Sequence, residues 1–330
     1  MRVALVILNF NGIKWLEQFL PSVVAYSPEA HIVVADNGST DSSLDFLSKQ
    51  YPQIQIIAFA ENLGFCKGYN KALEQLEAEY FLLLNSDVEV SPNWLAKILD
   101  FMDKNPDIAV CQPKIKNYYQ KTHFEYAGAA GGMLDKWGFA FCRGRIFDSI
   151  EQDTGQYEQI TTVFWASGAC MCVRARIWKE LGGFDEYFFA HFEEIDFCWR
   201  VQNTGGKVYY FPESEVFHVG GGTLNATNPK KTFLNYRNNL ITLYKNLPSK
   251  GKFALLFFRL VLDGVSALRF LKKGQFRHIW AIVEAHFAFY GYVLKNKSPQ
   301  KQISNQQAIL FPKAVVWQYF VKKKREFRDL

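Results

Sequence analysis

Residues 1–87 repeat one pattern: an apolar run that stops on short polar side chains. Residues 3–8 stop at Asn9, residues 31–35 at Asp36-Asn37, and residues 80–84 at Asn85-Ser86-Asp87. An unbroken apolar run belongs to a strand buried on both faces, which requires helices covering both sides of a sheet. The intervening segments supply them. Residues 13–25 have helical spacing, and Thr40 or Asp41 caps a helix to about residue 49. Residues 54–59 read as a further strand and residues 66–79 as helix. Pro92 opens another helix at its first turn, running to about residue 103. Strand and helix alternate, so the fold class is α/β with a mainly parallel sheet. Such sheets bind ligands at the carboxyl ends of their strands. Asn9, Asn11, Asp36, Asn37, Asn85 and Asp87 collect there. Each alone reads equally as turn chemistry; the recurrence at successive strand ends points to a ligand.

Downstream the pattern loosens. Residues 117–158 carry glycines at 128, 131, 132, 138 and 144 and read as an irregular, partly mobile region. Residues 162–174 are strand-like, 177–181 a short helix, and 192–202 a helix carrying Glu193, Glu194 and Asp196. Residues 208–211 read as a strand closed by Pro212, and 216–219 as another, holding His218 before Gly220-Gly221-Gly222. Three chemistries follow. Asp87, leaving a buried strand beside Asn85, suits a divalent cation over a diphosphate, or else a plain turn. Glu193 and Asp196 share a helical face at i, i+3, and clustered acids raise one another's pKa, as a general base requires; a solvated helix start is the alternative. His218 is a structural histidine unless an aspartate-based metal site lies beside it. The glycines after it would let backbone approach a phosphate. Trp165 and the aromatics of 188–192 read as sugar-stacking or core residues.

Several classes drop out. No GxGxxG follows the first strand, which ends Asn9-Phe-Asn-Gly-Ile-Lys, and no GxxxxGK[ST], GxSxG or HExxH occurs. The six cysteines form no CxxC and read as reduced, mostly buried thiols of a cytosolic protein. The N-terminus does not read as a signal peptide, and no stretch of about 20 residues lacks a charge.

The net charge of +6 conceals a division. Residues 1–245 hold 22 Lys and Arg against 28 Asp and Glu (−6), and residues 246–330 hold 16 against 4 (+12). In the basic part, residues 253–271 are strongly apolar, with Lys252, Arg259, Ser266 and Lys273 as one polar stripe at every seventh residue. Residues 276–294 put Phe276, Trp280, Val283, Phe287, Tyr290 and Leu294 on one face, and Lys322-Lys-Lys-Arg325 closes the chain's basic run. Wide apolar faces with basic borders suit helices lying in a membrane interface. Packing on each other, or a homodimer, is the alternative. The tail carries no nucleic-acid recognition motif, and no nucleic-acid partner is expected.

The motifs taken together resemble the family-2 inverting glycosyltransferases of the GT-A fold, in the bacterial rhamnosyltransferase-like branch. The matching pieces run in order over residues 1–225: VILNFN from Val6, VADNGSTD from Val34, NLGFCKGYN from Asn62, LLNSD from Leu83, Gly168-Ala-Cys, GGFDE from Gly182, the run from Glu193 to Asp196, and His218. The resemblance implies a Rossmann-like mixed sheet flanked by helices over 1–228, a donor half at about 1–115 and an acceptor half at about 116–228. A helical, membrane-associating extension would fill 229–330. It implies that Asn9, Asn11, Asp36 and Asn37 line a nucleoside pocket, with Asn62, Gly64, Gly68, Asn70, Asn85 and Ser86 around the nucleotide sugar. Asp87, with Asn85 and His218, would hold Mg²⁺ or Mn²⁺. Glu194 would be the catalytic base, with Glu193 or Asp196 able to take that role. Two departures from the family pattern stand out: Asn85 replaces the first acid of DxD, and Glu194 replaces an aspartate. The implied partners are a nucleotide-sugar donor, a lipid-linked or glycan acceptor of surface polysaccharide synthesis, and the cytoplasmic face of the cell membrane. A sugar nucleotidyltransferase would carry a glycine-rich basic loop after the first strand, where only Gly12 and Lys14 stand. A non-catalytic scaffold would not need the acids.

Overall fold

The computed structural model describes residues 1–220, 228–296 and 310–330. The chain opens with β1 (Val3–Asn9), α1 (Ile13–Tyr26), β2 (His31–Asp36), α2 (Ser43–Gln50), β3 (Gln55–Ala58), α3 (Gly64–Leu73) and β4 (Tyr80–Asn85). As the unbroken apolar runs require, β1 pairs in parallel with both β2 and β4, and β2 with β3. Alternate residues of β1 serve opposite layers. Val3, Leu5 and Ile7 join a core with Leu16 and Leu20 of α1; Ala4 and Val6 join another with Cys66, Tyr69 and Leu73 of α3. Helix α3 stops at Leu73 rather than running to 79, because the chain tightens to three-residue turns: Gln75 N–H bonds the Ala72 carbonyl and Leu76 N–H that of Leu73.

The sheet continues with β5 (Val88–Val90), α4 (Trp94–Lys104) and β6 (Ile108–Asn117). A second, four-stranded sheet follows: β7 (Gly132–Leu134), β8 (Ala140–Cys142), β9 (Arg145–Ile146) and β10 (Ser149–Ile150). The stretch expected to be irregular is thus partly a meander of short strands. The strand-like run at 162–174 divides into β11 (Thr161–Thr162) and β12 (Cys170–Arg174), the latter antiparallel between β4 and β6. Then come α5 (Ala175–Leu181), α6 (Glu193–Asn203) and β13 (Lys207–His218). Pro212 does not end a strand. The register of β13 on β6 shifts between Phe211 and Glu215, and the bulge is held by the Ser214 hydroxyl, which donates to the Trp94 carbonyl at 2.8 Å. Among the described residues the main sheet is mixed and nine-stranded. All six cysteines are free and buried.

Helices α7 (Pro229–Asn246), α8 (Lys252–Lys272) and α9 (Phe276–Lys295) follow. The polar stripe of α8 faces inward. Lys252, Arg259 and Asp263 are buried; Arg259 stacks on Phe139 at 3.7 Å and donates to the Trp137 carbonyl, and Asp263 meets His286 at 3.2 Å. The apolar side faces out, with Phe253 and Phe257 each 69% exposed. On α9, Phe276, Trp280, Phe287 and Leu294 are likewise exposed, while His278, Ala281, Ala285 and Phe289 pack inward. The helices also pack on one another, Tyr244 of α7 meeting Phe289 and Tyr292 of α9, and Phe270 of α8 stacking on His278 of α9. No helix among the described residues is long and apolar enough to cross a membrane.

Candidate active site

Three groups of residues meet at the carboxyl ends of the strands. In the first, the loops after β1, β2 and β3 are laced together. Asn9 Nδ2 donates to Asp36 Oδ2 at 3.0 Å, Asp36 Oδ1 accepts the Ser39 N–H, and Asn11 Oδ1 accepts the Thr40 N–H at 2.7 Å. Asn37 Nδ2 donates to the Gly64 carbonyl, its Oδ1 accepts the Leu63 N–H, and Asn62 Oδ1 accepts the Gly64 N–H. Asn9, Asp36 and Asn37 are buried, so their side chains chiefly hold the loops in shape; Asn9 Oδ1 alone among these is a buried acceptor without a partner. Gly68 permits close packing: a Cβ there would lie 2.9 Å from Leu8 Cδ1. Asn70 points elsewhere, bonding both backbone groups of Phe184. It fastens α3 to the Gly182–Asp185 turn and is a packing residue.

The second group is created by β5 lying antiparallel on β13, which sets Val88 opposite His218. Asp87 Oδ1 and His218 Nε2 are thereby 3.1 Å apart, though 131 residues separate them in sequence, and Asn85 Nδ2 lies 3.3 Å from the same ring nitrogen. Burial alone would lower the His218 pKa, but the Asp87 and Glu125 carboxylates overturn this and hold it up at about 10. Burial would raise Asp87, and the imidazolium instead keeps it below its ordinary value. Ser86 sits in the turn between them. Gly221 and Gly222 lie outside the described residues.

No cage of three His, Cys, Asp or Glu side chains exists among the described residues. The Asp87–His218 pair nonetheless would suit a divalent cation, which would take the place of the proton now held between Nε2 and Oδ1. Two ligands at about 2.1–2.2 Å in cis positions of an octahedron stand about 3 Å apart, and these atoms are 3.1 Å apart. One carboxylate and one imidazole leave the remaining positions to a diphosphate and water, the usual arrangement for a cation shared with a nucleotide.

The third group precedes and opens α6. Phe189 (φ +64°, ψ −57°) centres a γ-turn of the rare, strained kind, closed by the Ala190 N–H on the Phe188 carbonyl at 2.7 Å. His191 and Phe192 also have positive φ. This contorted run brings Glu193 and Glu194 to the first turn of α6 with one buried oxygen of each carboxyl unpartnered. Burial, then the neighbouring Glu194, pushes Glu193 well above the ordinary carboxylate range; burial raises Glu194 to about 7 against the opposing backbone N–H groups of the helix start. His191, neutralised by burial and Lys231, falls to about 4.

Asp196 departs from the sequence expectation. It is fully buried, bonded to Arg200, Lys245 and Asn246, and its pKa is lowered: burial opposes ionisation, but the two cations prevail. With both oxygens occupied by cations and an amide, it has nothing to offer as a base and instead pins α6 to α7. Trp165 is likewise a core residue, its ring lying where a Cβ on Gly132 would sit and its Nε1 donating to the Met133 carbonyl.

Burial raises the Cys142 thiol to about 11, and the charges of Glu125 and Glu194 add to the rise. The Phe189 carbonyl accepts the Phe65 N–H, and the Phe189 ring occupies the space over Gly64, whose φ is +81°. The acid-bearing turn therefore sits on the loop after β3.

Residues 4–180 match the family model described as glycosyl transferase family 2. The chain belongs to that family. Its relatives include the N-acetylglucosaminyl-diphospho-decaprenol L-rhamnosyltransferase of Mycobacterium tuberculosis, 27% identical over 219 residues, covering 62% of this chain and 71% of that one. In fold, this glycosyltransferase resembles GalNAc-T7 solved with UDP, GalNAc and Mn²⁺ (TM-score 0.57, 16% identity, 74% of this chain and 48% of that one). It also resembles the mannosyltransferase PcManGT of Pyrobaculum calidifontis solved with GDP-Man and Mn²⁺ (TM-score 0.52, 13% identity, 90% and 76%). The architecture is that of the GT-A glycosyltransferases: a mixed sheet flanked by helices, with C-terminal helices added.

Three contributors escaped the sequence reading. Glu125 backs His218, with its Oε2 3.5 Å from Nδ1. Asn238 Nδ2 lies within bonding distance of the Phe188, Ala190 and His191 carbonyls, at 3.1, 2.9 and 2.7 Å. Arg237 donates to the Tyr187 and Phe188 carbonyls. The last two clamp the strained turn of this glycosyltransferase from α7. The only local sign was the consecutive polar run Arg237-Asn238-Asn239 within an otherwise amphipathic helix.

Proposed function

We propose that the protein is an inverting glycosyltransferase that moves a sugar from a nucleoside-diphosphate sugar to a hydroxyl of a lipid-diphosphate-linked glycan in surface polysaccharide synthesis. The observation that carries this reading is the Glu194 carboxyl, raised to about pKa 7 with its buried Oε2 unpartnered, in a fold whose strand ends also bring Asp87 and His218 together. In it, Glu194 takes the proton of the acceptor hydroxyl as that oxygen attacks the anomeric carbon. The bond to the diphosphate breaks on the opposite face, which inverts the centre. Glu193, held protonated by burial and its neighbour, keeps a second negative charge away from Glu194. Asp87, His218 and Asn85 would hold Mg²⁺ or Mn²⁺, which neutralises charge on the departing diphosphate. The loops organised by Asn9, Asn11, Asp36, Asn37 and Asn62, with Gly64, Gly68 and Ser86 beside them, would receive the nucleoside and diphosphate. Asn70 contributes through the shape of α3.

The reading includes a catalytic unit over residues 1–228, with donor and acceptor halves meeting near 115, and a helical region over 229–330. It also includes work at the cytoplasmic face of a membrane. The outward apolar sides of α8 and α9, bordered by Lys272, Lys273, Arg277 and Lys295, support this. The relative from M. tuberculosis is named for an acceptor on a decaprenol diphosphate.

The test is transfer from a panel of nucleotide sugars to a lipid-diphosphate glycan with Mn²⁺ or Mg²⁺. Asp87→Ala and Glu194→Gln should each reduce the rate at least about 100-fold. Wild-type rates in both variants would reject the mechanism. Release of pyrophosphate from a nucleoside triphosphate would support a nucleotidyltransferase instead.

A further inference from the structure

An open groove of about 810 Å³ runs between the first turns of α7 and α9. Its walls are of two kinds. Phe233, Phe276 and Trp280 are aromatic, and Lys230 and Arg277 are cations. Both cations are exposed, and neither is paired with a carboxylate among the described residues. Glu284 lines the groove two helical turns from Arg277, roughly 10 Å along α9, so the positive charge is gathered at one end. The aromatic wall is continuous with the outward face of α9, where Phe287 and Leu294 stand exposed.

The charged end adjoins the acid-bearing turn. The Lys230 ammonium lies 4.7 Å from the Phe189 ring centroid, four residues before Glu193. Phe233 is stacked by the guanidinium of Arg237, at 5.0 Å, and that same group donates to the Tyr187 and Phe188 carbonyls. The groove therefore leads from the apolar outer face of the helices to the turn that positions Glu194.

We infer that this groove binds the acceptor's lipid diphosphate: the diphosphate between Lys230 and Arg277, and the first hydrocarbon units along Phe233, Phe276 and Trp280. The inference rests on the lipid-linked acceptor of the proposed function. Two opposed cations suit a polyanion more than a single phosphate ester, and the aromatic wall suits a hydrocarbon leaving that anion toward a bilayer. Seated so, the lipid sets the depth of the attached glycan relative to Glu194.

The experiment uses the full chain and phosphatidylcholine vesicles doped with a polyprenyl diphosphate. Control vesicles are matched in negative charge with phosphatidylglycerol. Co-sedimentation should be about tenfold or more stronger on the polyprenyl diphosphate vesicles, and Lys230→Gln/Arg277→Gln should remove that increment. Trp280→Ala should weaken it. Equal binding to both vesicle types, or an increment that survives the double substitution, would overturn the inference. Thermal stabilisation by a panel of nucleoside diphosphates of every common base, with Mn²⁺, is measured in parallel. If it persists while the increment is absent, the groove assignment fails and the glycosyltransferase reading stands; if it too is absent, that reading fails.

Discussion

Replacing Asn238 by alanine should disable the enzyme without touching any group that meets substrate. Three consecutive-neighbourhood residues, Phe189, His191 and Phe192, hold positive φ, and each costs on the order of 1 kcal/mol, about 3 kcal/mol together. Asn238 opposes this with two N–H protons shared among three carbonyls, which amounts to roughly 2–3 kcal/mol at about 1 kcal/mol per bond. Arg237 adds two charge-assisted bonds to the same turn. Removing Asn238 leaves Arg237 alone against the strain, and the turn relaxes in a large share of molecules. We expect kcat to fall about 10–100-fold and Tm by a few degrees. A relaxed turn also exposes Glu194, so the acid limb of the kcat–pH profile should move from about 7 toward the ordinary carboxylate range. Asn238→Asp should behave alike, since a carboxylate accepts but does not donate. Steady-state rates between pH 5 and 9, with calorimetric Tm values, check this. A kcat within twofold of wild type, with the acid limb unmoved, would refute the argument that the clamp sustains the site.

The remaining predictions concern charge and surface. Glu194 must be ionised to accept a proton, so activity should rise with pH through about 7 and level off above it. Because the folded chain holds this proton where the unfolded chain has released it, stability falls as pH rises from about 4.5 through about 7, by on the order of 3 kcal/mol in all, and stays lower above that; Glu194→Gln should raise Tm at pH 8 and change it far less at pH 5, as differential scanning calorimetry would reveal. Asp196→Asn takes from buried Arg200 its only carboxylate among the described residues and leaves Lys245 with Asp185 alone, with an expected loss of about 3 kcal/mol in urea denaturation at pH 7. Because the folded pKa of Asp196 is lowered, the wild type keeps this advantage at neutral pH and loses it only as pH falls through that depressed value. The combined change Phe253→Ser, Phe257→Ser and Val261→Ser removes exposed side chains of α8. It should leave Tm nearly unchanged and weaken binding to phosphatidylglycerol vesicles about 100-fold, at roughly 1 kcal/mol per side chain; unchanged binding would remove α8 from the membrane contact.

Local chemistry was readable wherever the information is local. Apolar runs of β1, β2 and β4 read as strands buried on both faces, because they are short, rich in Val, Ile and Leu and stopped by turn-forming polar residues, and those residues mark the binding end of the sheet. The acids at 193–194, and the wide apolar faces of residues 253–271 and 276–294, were equally plain. Tertiary structure decided what those residues are for. Asp87 meets His218 only because β5 lies on β13. Asp196 becomes a structural ion rather than a base because Lys245, 49 residues away, comes to it. The same run of acids thus divides into one ion-paired member and two with raised pKa, a difference of partners and burial that spacing does not encode. Helix α8 is the sharpest instance. The sequence leaves its apolar side either to a membrane interface or to packing; in the fold Arg259 and Asp263 are among the residues buried, since Phe139, Trp137 and His286 arrive from distant segments to satisfy them. Periodicity reports that a helix has two faces; only the partners brought by the rest of the chain determine which one is turned inward.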